Sequence, residues 1–327
     1  MKCKSIILLL LAFAIPAIAE ELKQSAAIDL PKVEGRFDHF AIDLTNKRLF
    51  LAALGNNSLE VIDIATNKRL QSIPNLKKPT GAAYVPELNR LVVASGDDGR
   101  CRFFDGNPLK LAGQIKDLDD ADNVRYDAAG KKIYLGYGSG ALAVIDPQKM
   151  QKIGDIKLDA HPESFQIEQN GHRIFVNLPD ARQVAVVDRE KNSAIAKWPM
   201  KDAQANFPMA LDEAHKRIFI GFRKPARLGV LDIDSGQLIA KIECAGDTDD
   251  LFYDAAQQRI YISGGDGAIT IVQQRDADHY ESIGTIKTAS GARTSFFSPD
   301  LGSLYVAVPH RGGQNARLLV YSTQRVQ

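Results

Sequence analysis

The stretches R-F-D-H-F-A-I-D (36–43) and D-T-D-D-L-F-Y-D (247–254) set carboxylates, an imidazole and a guanidinium directly ahead of apolar runs that read as buried strands. Asp38 and His39 in the first, and Asp249 and Asp250 in the second, are residue types that hold cations, move protons or bind polar ligands. Asp122-Asn123, His161 with Glu163, Arg223, Arg293 and His310-Arg311 are of the same kind. Spread over the whole chain, they form a site only if the fold gathers them.

A repeat does the gathering. Short apolar-aromatic runs follow a turn in NKRLF (46–50), NRLVV (89–93), GKKIYL (130–135), GHRIFV (171–176), HKRIFI (215–220), QQRIYI (258–262) and GSLYVA (302–307). Anchored on Leu49, Leu91, Ile133, Ile174, Ile218, Ile260 and Leu304, the spacings are 42, 42, 41, 44, 42 and 44 residues. A period of 40–45 residues built from short strands predicts a β-propeller of four-stranded antiparallel blades, here seven. In the first unit the expected strands are 40–43, 48–52, 59–64 and 69–73, separated by turn-forming Thr45-Asn46, Gly55-Asn56-Asn57 and Thr66-Asn67. The last unit is one strand short, and Ser25–Leu30, which has no blade of its own, is expected to supply it and so close the ring.

In a propeller the innermost strand of each blade starts at one end of the central channel. Eleven residues before each anchor stand Asp38, Thr80, Asp122, Glu163, Phe207, Asp249 and Arg293; the next column is His39, Gly81, Asn123, Ser164, Pro208, Asp250 and Thr294. An earlier column holds Arg36, Lys78, Asp120, His161 and Asp247. Both opening stretches therefore meet at the channel mouth. Loops on the same face add Asn56, Asn57, Asp97, Asp98, Tyr137, Asn177, Arg223, Lys224, Asp266, His310 and Arg311. The expected binding set is Asp38, His39, Asp122, Asn123, His161, Glu163, Arg223, Asp249, Asp250, Arg293, His310 and Arg311. Four carboxylates in one column (Asp38, Asp122, Glu163 and Asp249) repel unless a cation, Arg293 or protons compensate, and oxygen ligands at a cavity mouth suit Ca²⁺ or Mg²⁺. Phe207 and Tyr137 could stack a base or a sugar.

The repeats K-I-Y-L-G-Y-G-S-G-A-L-A-V-I-D-P (132–147) and R-L-F-L-A-A-L-G-N-N-S-L-E-V-I-D-I (48–64) resemble those of YVTN-type propellers, the exported bacterial group described as YncE-like. The resemblance spans residues 20–327 and implies fold rather than activity, since such propellers include binding proteins, lactone-cleaving enzymes and electron-transfer domains. Lactone-cleaving propellers hold a divalent cation at the inner-strand starts. The matching positions here are Asp38, Asp122 or Asn123, Glu163 and Asp249, with His39 or His161 as general base; D-H-F stands where the E-G-P motif of those enzymes would open the first blade.

The N-terminus reads as a cleaved export signal, residues 1–19: Lys2 and Lys4, an apolar run from Ile6 to Ile15, then Ala17-Ile18-Ala19. A single propeller domain, 20–327, follows, expected in the periplasm or secreted, without stable membrane insertion and as a monomer. Cleavage leaves 39 basic against 40 acidic residues, a balance that argues against bulk attraction to polyanions. Cys101 and Cys244 lie in different repeats and are expected to be unpaired. No C-x-x-C-H, G-x-S-x-G or Walker motif occurs, and one Trp is too few for tryptophan docking motifs, so haem, a nucleotide and the quinone cofactor PQQ are not expected. The D-L-D-D-A-D run (117–122) breaks the EF-hand spacing, G-Y-G-S-G (136–140) reads as a hairpin turn, and His279 as a surface residue. The leading expectation is non-enzymatic binding of a small molecule, peptide or partner protein at the mouth; a metal-assisted lactonase-type hydrolase and a single-stranded nucleic-acid binder are the alternatives.

Overall fold

The structure, a computed structural model, describes residues 22–324; the expected signal segment lies outside them. The chain forms seven four-stranded antiparallel sheets. The first blade comprises Phe40–Asp43, Arg48–Ala53, Ser58–Asp63 and Lys68–Pro74, in sheet order. Each of the seven anchors pairs in the inner ladder with the residue seven positions before it, as in Ile42 with Leu49, Tyr126 with Ile133 and Tyr253 with Ile260. That shared register is what sets the inner-strand starts side by side. Lys23–Asp29 lies antiparallel to Arg317–Ser322 as the outermost strand of the seventh blade, so the two ends of the chain close the ring together.

Period-two alternation explains why the second strand of each blade reads as a continuous apolar run. Leu49 and Leu51 pack with the seventh blade, through Tyr305, Ala307 and Leu318, while Phe50 and Ala52 pack with the second, through Leu91, Val93 and Phe104. The same division recurs around the ring, giving one apolar cluster per blade junction. Cys101 and Cys244 are both free, and the apolar surroundings of Cys101 push its thiol up to about 12. In each of the first six blades the outer strand carries one bulge, at Leu70, Ala112, Ile153, Ile195, Ile239 and Ile283. A bulge bends the outermost strand and discourages edge-to-edge pairing with another sheet.

On the face opposite the mouth, the Arg of the repeat is a clasp between blades. Arg48, 2% exposed, pairs with Asp43 at 2.7 Å and donates Nη1 to the Gly106 carbonyl of the next blade at 3.0 Å. Arg90 reaches Pro147 O at 2.6 Å, Arg173 reaches Ile233 O at 2.9 Å and Arg217 reaches Ala277 O at 2.9 Å. Each binds the outer turn of the following blade, so the basic residue ahead of the apolar pair fixes blade to blade.

Candidate metal and ligand site at the channel mouth

Hydrogen bonds across the blades hold the mouth rigid. His39 N donates to Thr80 O at 3.1 Å, Thr80 Oγ1 to Ala121 O at 2.6 Å, and Thr294 Oγ1 to Phe37 O at 3.2 Å. Asn177 Nδ2 reaches Phe207 O at 2.9 Å and Arg223 Nε reaches Thr248 O at 2.8 Å. Gly81 lets Asp122 come close: a Cβ there would lie 2.2 Å from the Asp122 carbonyl oxygen.

Two groups of possible ligands meet at one residue. Ligand atoms of Asp38, His39 and Asp122 all lie within 4.8 Å of one another, and so do those of Asp122, His161 and Glu163. Asp122 is common to both. His161 gives its Nδ1–H to Gly138 O at 2.6 Å, which leaves Nε2 facing Asp122 Oδ2 at 3.8 Å. An imidazole whose far nitrogen is held by a carbonyl is oriented and made more basic for metal ligation. His39 is held similarly: Nδ1 lies 3.5 Å from Asp250 Oδ1, and Asp250 Oδ2 accepts from Ser295 N at 2.8 Å. His39 Nε2 lies 2.8 Å from the Asn123 amide nitrogen and 3.5 Å from Asp38 Oδ1. Asn123 is 1% exposed, and its Oδ1 has no hydrogen-bond partner. With the amide turned over, Oδ1 accepts from Nε2–H of a charged His39, so this pair is satisfied within the cluster itself.

Crowded carboxylates in low dielectric hold protons. Burial, with the charges of Asp122 and Asp249, pushes Glu163 up to about 7. Burial likewise raises Asp38 well above the usual carboxylate range, helped by Asp122 and Asp249 and opposed by His39 and Arg36. The facing Asp122 carboxylate leads in raising His161 to about 9. Burial disfavours the charged form of His39, but Asp38 and Asp250 outweigh it and raise the imidazole to about 10.

These shifts fix the sign of a pH effect on the metal-free protein. Between about pH 4.5 and 7 the folded chain keeps the Glu163 proton that the unfolded chain releases. The stabilisation from charged His161 is complete below 6.5 and is lost as pH rises through about 9. Both contributions fall as pH rises. In EDTA the melting temperature is therefore expected to drop by roughly 5 °C from pH 5 to pH 9, read by differential scanning fluorimetry. A flat or rising profile would contradict the crowding of these groups.

Asp249 is engaged differently. Its Oδ1 accepts from Arg223, and its Oδ2 lies 2.9 Å from Arg293 Nε. Arg293 also binds both oxygens of Asp247 at 2.9 Å, and the Arg223 guanidinium lies over the Phe207 ring, 3.6 Å from its centroid. Asp249 is thus compensated by two guanidinium groups, and Phe207 carries Arg223. Of the twelve expected site residues, Asp38, His39, Asp122, Asn123, His161, Glu163 and Asp250 come together, with Arg223, Asp249 and Arg293 as an adjoining charged network. His310 instead pairs with Glu34 at 2.7 Å, and Arg311 bonds Ser290 at 3.3 Å. Both bond away from the cluster, because they stand in the turn after the second strand of blade seven rather than at an inner-strand start. Tyr137 donates to Asp155 at 2.8 Å within its own blade, and His279 bonds Asp276 at 2.9 Å.

Below the cluster, a cavity of about 510 Å³ continues down the channel. Its walls include Ala41, Ala83, Arg125, Gln166, Ala210, Phe252 and Phe296, one from each blade at the same register, two residues along from the His39 column. Continuing the period-two alternation one step down the inner strands identifies this ring, whose charged member, Arg125, the reading of the sequence missed.

No family model matches the chain, and comparison with curated proteins gives no match. Among solved structures, the chain is similar to Kuenenia stuttgartiensis hydrazine synthase, with a TM-score of 0.74 and 16% identity over 84% of this chain and 94% of that one. It is also similar to a chain of a mitotic checkpoint complex, with a TM-score of 0.78 and 11% identity over 98% of both. At these identities the likeness is one of fold, and it agrees with the seven-bladed propeller.

Proposed function

We propose that the chain is an exported propeller that binds a divalent cation at its channel mouth and presents that cation to a small-molecule ligand. Asp122, Glu163 and Nε2 of His161 hold the ion, with Asp38 and His39 beside it. The observation that carries this reading is Asp122, shared by two carboxylate–imidazole groups, next to an imidazole whose other nitrogen is already bound to Gly138 O. Oxygen ligands alone favour Ca²⁺ or Mg²⁺; the imidazole moves the preference toward Zn²⁺ or Mn²⁺. Three protein ligands leave positions open for a ligand oxygen. Export rests on the N-terminal pattern of residues 1–19 and on the resemblance to YVTN-type repeats. Titration calorimetry of the chelator-stripped chain should show one Zn²⁺ or Mn²⁺ site with Kd of about 1 μM or tighter. No saturable binding at millimolar metal would remove this reading.

The Asp250–His39 pair favours a second reading, hydrolysis of a cyclic ester. A bound cation would polarise the ester carbonyl. A cation bound beside His39 would offset the carboxylates that keep it charged; in its neutral form His39, oriented by Asp250 on one ring nitrogen and facing the cluster with the other, would accept the proton of the attacking water. Water oxygen bonds to the carbonyl carbon, the ring C–O bond breaks, and the proton passes to the departing alkoxide, giving a hydroxy acid. Against a panel of γ- and δ-lactones this reading requires chelator-sensitive turnover that falls about 100-fold in His39→Gln. Metal binding without any such turnover leaves the binding function alone.

A further inference from the structure

Arg125 stands in the inner strand of the third blade, and its side chain lines the channel cavity. Its recorded hydrogen bond runs from Nη1 to the carbonyl of its own neighbour, Val124, at 3.0 Å. Its guanidinium lies 5.7 Å from the Phe165 ring centroid. Among the described residues no carboxylate comes within 4.0 Å of it, in contrast to Arg48, which has one, and to Arg223 and Arg293, which have two each. Burial draws Arg125 below the usual guanidinium range, and only the more distant Asp250 and Asp122 oppose that. A guanidinium presents five donors in a planar fork that matches a carboxylate, and most of those donors are unused here.

The rest of the ring is shaped for an apolar body. Ala41, Ala83 and Ala210 leave space in the ring, Gln166 adds an amide, and Phe252 and Phe296 form an aromatic wall with centroids 6.0 Å apart. Phe40 extends that wall, its centroid 6.0 Å from that of Phe296. A cavity of about 510 Å³ falls within the range that small-molecule ligands occupy. Asp250 with His39, and Glu213, also line the cavity, but at the ring itself Arg125 is the one charged member among apolar, aromatic and amide side chains, an arrangement that complements an organic anion.

We infer that the central channel holds a second site, one ring below the mouth cluster, which binds an aromatic or short-chain organic carboxylate through Arg125. The site stands on the cavity and the unpaired guanidinium, so it does not depend on the mouth holding a metal.

The test is calorimetric titration of the purified chain with acetate, benzoate, phenylacetate and 4-phenylbutyrate, each against its uncharged amide. Each titration is run in excess Mn²⁺ and again in EDTA. At least one aromatic carboxylate should bind, more than about 10-fold more tightly than its amide. Arg125→Met, which keeps length and removes the fork, should lose at least about 10-fold in carboxylate affinity, with Arg125→Lys in between. Mn²⁺ affinity should be unchanged in both variants. Dependence on Arg125 is the criterion, whichever metal state binds more tightly. Should Arg125→Met fail to fold, the carboxylate-over-amide ratio of the wild-type chain decides. No binding across the series, equal binding of acid and amide, or carboxylate binding indifferent to Arg125 would overturn the inference; the last with Mn²⁺ present would place the carboxylate on the metal.

Discussion

Asp122→Asn is expected to lower Zn²⁺ or Mn²⁺ affinity by more than about 1000-fold while the metal-free protein becomes more stable above about pH 9, where His161 has lost the charge that Asp122 favours. Altering the outer partners of metal ligands already costs 10–100-fold in many sites, and Asp122 belongs to both ligand groups at the mouth. The stability change has the opposite sign for a physical reason. In the metal-free chain the Asp122 charge opposes the ionisation of Asp38 and Glu163 and favours charged His161, so once pH has passed the His161 transition its removal only relieves repulsion. A variant that merely misfolded would lose both affinity and stability. Asp249→Asn provides the contrast: its carboxylate sits on Arg223 and Arg293, so metal affinity should change by less than about 10-fold, with the larger effect on the arrangement of those guanidinium groups. Calorimetry for affinity and thermal melts in EDTA for stability separate the cases.

Arg48→Ala carries the largest expected effect on folding, a loss of about 3–5 kcal/mol. The substitution leaves Asp43, 1% exposed, without its guanidinium, and it removes the bond to Gly106 O that joins the first blade to the second. Asp43 would keep the Asn46 backbone and side-chain donors at 3.0 and 2.8 Å, which compensate only part of its charge. The double variant Arg48→Ala with Asp43→Asn should be less destabilised than Arg48→Ala alone, because no buried charge is stranded. Urea unfolding measures both. If the double variant lost as much as the two single changes together, the pair would not be coupled and the clasp would be ordinary packing.

These expectations draw on features that differ in how far the sequence reveals them. The blades are legible because Leu49, Leu91, Ile133 and their counterparts sit at one register in strands buried on both faces, so period and apolar runs coincide. Closure by the N-terminal strand was legible from a missing fourth strand. The columns beginning at Asp38 and His39 were legible for the same reason: inner strands of equal register bring residues of equal offset to the mouth. What such offsets do not carry is how long side chains choose partners across blades. Asp249 stood as one of four crowded acids, yet two arginines from other blades converge on it. His161, named as a base, turns its Nε2 toward Asp122 only because Gly138 O takes the other nitrogen, a contact set by a hairpin carbonyl rather than by a residue type. His310 and Arg311 shared the face but not the register, and they pair at the rim. The Arg of K-R-L-F and its repeats appeared as flanking charge; its role as a clasp depends on a carbonyl some 60 residues ahead, in the outer turn of the next blade.

The central claim is a cation at Asp122, and anomalous diffraction from crystals soaked in MnCl₂, recorded near the manganese edge, tests it most directly. The account predicts one dominant peak at the channel mouth, within bonding distance of Asp122, Glu163 and Nε2 of His161, absent in Asp122→Asn crystals. Saturating Mn²⁺ with no peak at the mouth, or a peak that persists in Asp122→Asn, would contradict it.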